Sequence, residues 1–187
     1  MKNKINVKEI TLASIIIVLL ALMTFFPSLG SIKLPHITIT LLHIPVILGT
    51  ITMKNYKYAF IFGLAFGVLS FLANLQSPSA ASYDLFLDPI IAILPRSFVG
   101  LTILAAYNLS YKAVENDIFS MIVAAIIGTI TNTILVITAM GIFGGSSFAN
   151  GLINAIQYII TINGSLEVAA AVILVPAIGK ALAKLRG

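Results

Sequence analysis

Five polar residues interrupt or bound the long apolar runs of this chain: Arg96, Asn132, His43, Asn74 and Glu167. An arginine near the middle of an apolar helix costs roughly 2.5–3.5 kcal/mol on insertion scales, so it faces a cavity or a partner rather than lipid. Its planar guanidinium presents paired N–H donors that match a carboxylate. Asn132, within Thr131-Asn132-Thr133, adds an amide that both donates and accepts. His43 shares a helical face with Thr40 and Thr50, Asn74 closes one apolar run, and Glu167 stands near the start of another. Such groups suit a small polar ligand with one carboxylate. The structural alternative is an ion pair between Arg96 and Glu167, which would leave a site fit for an uncharged ligand.

Enzymatic chemistry finds little support. The chain has no cysteine, which removes disulfides, thiolate metal sites and thiol nucleophiles together. His36 and His43 have no carboxylate nearby in sequence, and G-x-S-x-G, H-E-x-x-H and G-x-x-x-x-G-K-[ST] do not occur. The expectation is a binding or transport protein and not an enzyme.

The elements that must position these residues follow from composition. Of 187 residues, 59% are hydrophobic and 9% charged, whereas soluble domains carry about 25% charged residues. Hydrocarbon must be part of the solvent. A ruler of about 20 apolar residues per crossing finds spans near 10–29, 37–53, 57–75, 87–107, 118–142 and 163–183. The expected fold is all-α, an integral membrane six-helix bundle forming one domain over 1–187. The second span is the shortest, and Pro45 within it suggests an oblique or broken helix.

Basic residues orient the bundle. With the amino terminus in the cytoplasm, Lys2, Lys4, Lys8, Lys54, Lys57, Lys112, Lys180, Lys184 and Arg186 fall inside and Lys33 alone outside. This places both termini in the cytoplasm. The formal charge of +5 is spread over helix ends rather than gathered in a patch, so nucleic acid is not an expected partner. The first span and the small residues Ser28-Leu29-Gly30 have the form of a secretory signal, but the apolar runs continue throughout, and the segment is read as retained. Residues 146–161 are amphipathic and are read as an outer-surface helix or lid.

Finer signals bear on packing and depth. Ala59, Gly63 and Gly67 form a smooth stripe where another helix can approach. Asp88 before Pro89 reads as a cap and a first helical residue. Pro95 and Pro176 lie inside spans and release the carbonyls of Ile91 and Val172. At 1.5 Å per residue, Arg96 sits about 13 Å and Asn132 about 15 Å from the outer ends of their spans. The inner halves hold almost no ionisable groups, which describes a cup open to the outside.

The segments Leu42-His43-Ile44-Pro45-Val46-Ile47-Leu48-Gly49, residues 63–71, Asp88-Pro89 through Leu94-Pro95-Arg96-Ser97-Phe98-Val99-Gly100, and Gly128-Thr129-Ile130-Thr131-Asn132-Thr133 occur in that order. Together they resemble the membrane-embedded S component of energy-coupling factor (ECF) transporters, in the branch that binds pantothenate, pyridoxine or hydroxymethylpyrimidine, and folate. The resemblance implies a multi-pass protein of the bacterial plasma membrane, with a vitamin pocket near the outer face gated by loops one, three and five. It implies no cofactor in this chain, a membrane coupling protein (EcfT) and two cytoplasmic ATPases that consume ATP, and toppling in the bilayer to release substrate. Within the branch, Arg96 points to the carboxylate of pantothenate, with Asn132, His43 and Asn74 for its hydroxyl and amide groups. Pyridoxine, hydroxymethylpyrimidine or folate remain open if Glu167 neutralises Arg96. An autonomous secondary transporter is the rival of another class. It fits less well, because no internal repeat is visible and Glu167 alone could carry a coupling proton. One feature departs from the family: Ala13 is followed four residues on by Ile17, then Ala21, a bulkier stripe than the alanines against which the coupling protein packs.

Overall fold

Local chemistry at the helix ends sets the architecture of the computed structural model, which describes residues 7–33, 38–76, 87–143 and 164–184. Helix α1 spans Val7–Phe25 and α2 Pro27–Gly30; strands β1, Ser31–Lys33, and β2, Thr38–Thr40, follow. Then come α3, His43–Met53, α4, Tyr56–Gln76, α5, Pro89–Val114, α6, Asp117–Phe143, and α7, Gly164–Lys184. Asp88 accepts the Ile90 N–H at 2.8 Å and Pro89 follows it as the first helical residue, which caps α5. Residues 146–161, expected as a surface helix or lid, lie outside the described residues.

Two helix-to-helix turns use one device. Lys54 and Glu115 adopt left-handed backbone conformations, φ 48° and 53°, and their N–H groups donate to the carbonyls of Thr50 and Tyr111. Each is followed by an asparagine whose side chain accepts an N–H of the next helix: Asn55 from Lys57 at 2.9 Å, Asn116 from Phe119 at 3.0 Å. Asparagine caps a helix start well because its oxygen satisfies a donor that has no intrahelical partner.

The chain is an all-α bundle with a two-stranded hairpin. Helices α1, α4, α5, α6 and α7 are long and apolar enough to cross a membrane, consistent with a multi-pass membrane protein. Helix α3 has 11 residues, about 16 Å of helix, and lies in the middle of the core with every residue from 43 to 51 buried. A helix apolar on all sides is stable where neighbours surround it. Ile44, Ile47 and Ile51 meet Phe62 and Phe66 of α4, Val99 and Ile103 of α5, Ala124 and Ala125 of α6, and Ala171 and Val175 of α7 in one core.

The second apolar run divides where a single helix was expected. Thr38-Ile39-Thr40 pairs antiparallel with Ser31-Ile32-Lys33, Ile32 facing Ile39, because alternating β-branched residues suit a pleated ribbon. Pro45 does not break α3. It sits in the first turn, where a missing N–H costs nothing.

Helices α4 and α5 approach each other closely. A Cβ on Gly100 would lie 1.9 Å from the Ala59 carbonyl oxygen, one on Gly63 2.5 Å from that of Arg96, and one on Gly67 2.8 Å from the Ile93 Cα. The small-residue stripe of α4 therefore sets the height of the α5 backbone, including the turn that bears Arg96.

Candidate functional site

The site is built upward from one contact. A Cβ on Gly128 of α6 would lie 2.5 Å from Ile103 Cγ1 of α5 and 3.6 Å from Ile47 Cγ1 of α3. Three helices thus meet where α6 has no side chain. Helices α3 and α5 run away from the hairpin end of the bundle and α6 runs toward it. Counting helical rise from this floor toward the hairpin, His43 and Asn132 each lie about 6 Å above it and Arg96 about 10 Å. The spacings from Ile47 to His43, from Gly128 to Asn132 and from Ile103 to Arg96 are one or two turns, which keep a residue near the face it started from. Helical counting thus puts Arg96, Asn132 and His43 at neighbouring levels of α5, α6 and α3.

Arg96 is buried, 8% exposed. Its Nη1 donates to the carbonyl oxygen of Ile91 at 2.9 Å and to that of Ala92 at 3.1 Å. Both lie one turn nearer the hairpin, the direction in which helical side chains lean. The Ile91 carbonyl is the one that Pro95, inside α5, cannot serve for want of an N–H.

His43 is 3% exposed. Its ring is within hydrogen-bonding reach of the Glu167 backbone, while its Nε2 is buried with no hydrogen-bond partner among the described residues. The same holds for Asn132 Oδ1 and for Thr50 Oγ1, seven residues along α3 from His43. Buried polar atoms normally find partners because leaving one unmade costs about 1–3 kcal/mol.

Glu167 and Asn74 take other partners. Glu167 Oε1 accepts the backbone N–H of Thr40 at 3.0 Å, which ties α7 to strand β2. Asn74 Nδ2 donates to the Ser70 carbonyl of its own helix at 2.8 Å. It lies seven residues beyond Gly67, the point where α4 touches Ile93 and the Arg96 Cβ, and so about 10 Å nearer the hairpin end than that contact.

A cavity of about 540 Å³ opens between α6 and the start of α7, lined by Thr129, Ile130, Thr133, Ile134, Ile137, Gly164, Ser165 and Val168. Ile130 and Ile134 are exposed on the flank of the bundle, and Arg96, His43 and Asn132 do not line it. A second, about 130 Å³, lies at the end opposite the hairpin among Ile51, Lys54, Tyr107, Asp117, Met121 and Gly179. There the Lys54 ammonium stands 4.8 Å from the Tyr107 ring centre and 5.5 Å from that of Tyr111, and the Tyr107 hydroxyl bonds Asp117. Sequence reasoning missed this staple, whose visible signal was the pair of tyrosines four apart. Among the described residues no group of three or more His, Asp or Glu could hold a metal ion.

Residues 8–179 match the family model described as ECF transporter, substrate-specific component. The chain is similar to the pantothenic acid transporter PanT of Lactococcus lactis subsp. cremoris (strain MG1363), 35% identical over 160 residues, which covers 79% of each chain.

Proposed function

The chain belongs to the family of ECF transporter substrate-specific components, and from that premise we propose that it captures pantothenate at the outer face of the bacterial plasma membrane. It is a transporter subunit and not an enzyme. The observation that carries the choice of vitamin is the buried guanidinium of Arg96, which helical rise puts at a level close to those of Asn132 and His43, whose side chains each hold a buried polar atom unmatched among the described residues. A permanently charged fork in a low-dielectric interior favours a ligand with one carboxylate. It disfavours cationic vitamins by like-charge contact. The hydroxyl and amide groups of pantothenate suit Asn132 and His43. The similarity to a pantothenic acid transporter supports the same ligand.

In this reading the hairpin end faces outward, both termini face the cytoplasm, and α3 with the hairpin completes a sixth crossing. Asn74 stands at the mouth and Glu167 secures the hairpin above the ligand. Glu167 has the Thr40 N–H to engage it, which favours the hairpin role over neutralisation of Arg96. Energy comes from ATP spent by two cytoplasmic ATPases that act through a membrane coupling protein.

Mass spectrometry of small molecules released from gently purified protein tests the assignment. Pantothenate at near-stoichiometric amount is expected. Pyridoxine, hydroxymethylpyrimidine or folate in its place would overturn the vitamin while leaving the family intact.

A further inference from the structure

We infer that Pro95 is a positioning residue for the substrate: by withholding an N–H from the Ile91 carbonyl it reserves that oxygen for the Arg96 guanidinium and so sets where the charged fork stands. This rests on the reading of Arg96 as the carboxylate anchor.

In a regular helix the carbonyl of residue 91 is taken by the N–H of residue 95. Proline has no N–H and leaves that oxygen unmatched. Ile91 is 1% exposed, so no water shell is at hand, and an unmatched buried carbonyl is costly. The next residue in sequence resolves this, since Arg96 Nη1 donates to Ile91 O at 2.9 Å as well as to Ala92 O at 3.1 Å. One dipeptide thereby answers two problems, an orphaned acceptor and a buried cation.

The consequence is placement. An arginine side chain has many rotamers, whose freedom binding would have to remove. Here the bonds to the Ile91 and Ala92 carbonyls draw the guanidinium back along α5 toward the hairpin end. Its root is fixed on the other side, since a Cβ at Gly67 would lie 3.3 Å from the Arg96 Cβ. With alanine at 95, a backbone N–H would close the regular bond to Ile91 O and compete with Nη1. The fork would then share both of these carbonyls with backbone donors, hold them less firmly and gain freedom.

Pro176 provides the internal control. It lies inside α7 and releases the Val172 carbonyl in the same way, but the residue after it is Ala177.

The test compares affinity for pantothenate with affinity for pantothenol, the analogue whose carboxylate is replaced by an alcohol, using titration calorimetry on the purified chain in detergent. The parent is expected to prefer the acid. Pro95→Ala should lose about tenfold in acid affinity, the scale of one charge-assisted hydrogen bond. Its alcohol affinity should hold within about twofold on the same scale, which also reports an intact fold. Pro176→Ala should change neither. Lactate at position 95, introduced by nonsense suppression, has neither ring nor N–H and should restore the acid preference. Should Pro95→Ala keep the parent's acid-to-alcohol ratio while Arg96→Ala abolishes it, the positioning role is overturned and the anchor stands. Equal loss of both ligands in Pro95→Ala would reduce Pro95 to a general structural role and also overturn it. A parent with no acid preference would overturn the anchor and the inference together.

Discussion

Glu167 Oε1 accepts the backbone N–H of Thr40 at 3.0 Å across 127 positions of sequence. The bond joins the first turn of α7 to the strand that leads into α3, directly above the His43 level. A carboxylate accepting from a backbone amide contributes about 1.5–3 kcal/mol where it is partly buried. If this bond holds the hairpin over the ligand, Glu167→Ala should raise the pantothenate dissociation rate about tenfold, and Glu167→Gln, which keeps an acceptor, should raise it less. Both should still prefer pantothenate to pantothenol. Stopped-flow competition reads the rate. A loss of acid preference in Glu167→Gln would instead show that the carboxylate tunes Arg96.

The proposed orientation is tested with single cysteines, since the native chain has none. Gln76 ends α4 and is exposed at the hairpin end, while Asn116 is exposed in the turn between α5 and α6. A membrane-impermeant maleimide added to intact cells should label a cysteine at 76, and one at 116 only after permeabilisation. The reverse pattern would invert the proposed topology.

The seam between α4 and α5 should be intolerant of bulk. With the Gly100 Cβ position 1.9 Å from the Ala59 carbonyl oxygen, even Gly100→Ala must push backbones apart. Overpacking of this kind costs about 1–3 kcal/mol or more. The thermal midpoint in detergent should fall clearly for Gly100→Ala and collapse for Gly100→Leu. Leu109→Ala, at a position 70% exposed, should leave it near the parent. An unchanged midpoint in Gly100→Leu would contradict the close approach.

The long helices and the cap of α5 were legible because their causes are local. Asp88 and Pro89 stand next to the helix they start. The start of α3 was not legible. Residues 37–53 are apolar enough to pass for one span, and only pairing with Ser31–Lys33 turns Thr38–Thr40 into a strand. Pro45 was misread for the same reason, since its effect depends on where the helix begins. The partner of Glu167 was also out of reach, because a backbone donor 127 residues away leaves no mark in composition or period. The Ile91 carbonyl was different: its release by Pro95 was predictable, and only its new donor, Arg96, needed coordinates.

Capture and transport should separate. The chain carries none of the phosphate-binding loop pattern G-x-x-x-x-G-K-[ST], and its family works as the substrate-specific part of a larger transporter. Purified protein in vesicles should bind labelled pantothenate without accumulating it, with or without an ion gradient. Accumulation should appear when the coupling protein, both ATPases and ATP are added. Gradient-driven uptake by the chain alone would mark it as a secondary transporter.

The pantothenate affinity of the parent, Arg96→Lys and Arg96→Ala, measured by calorimetry under one set of conditions, tests the central claim most directly. Alanine removes charge and fork and should weaken binding by about 2 kcal/mol or more, roughly thirtyfold. Lysine keeps the charge but not the paired donors and should fall between parent and alanine. Parent-like affinity in both variants would show that Arg96 does not hold the carboxylate.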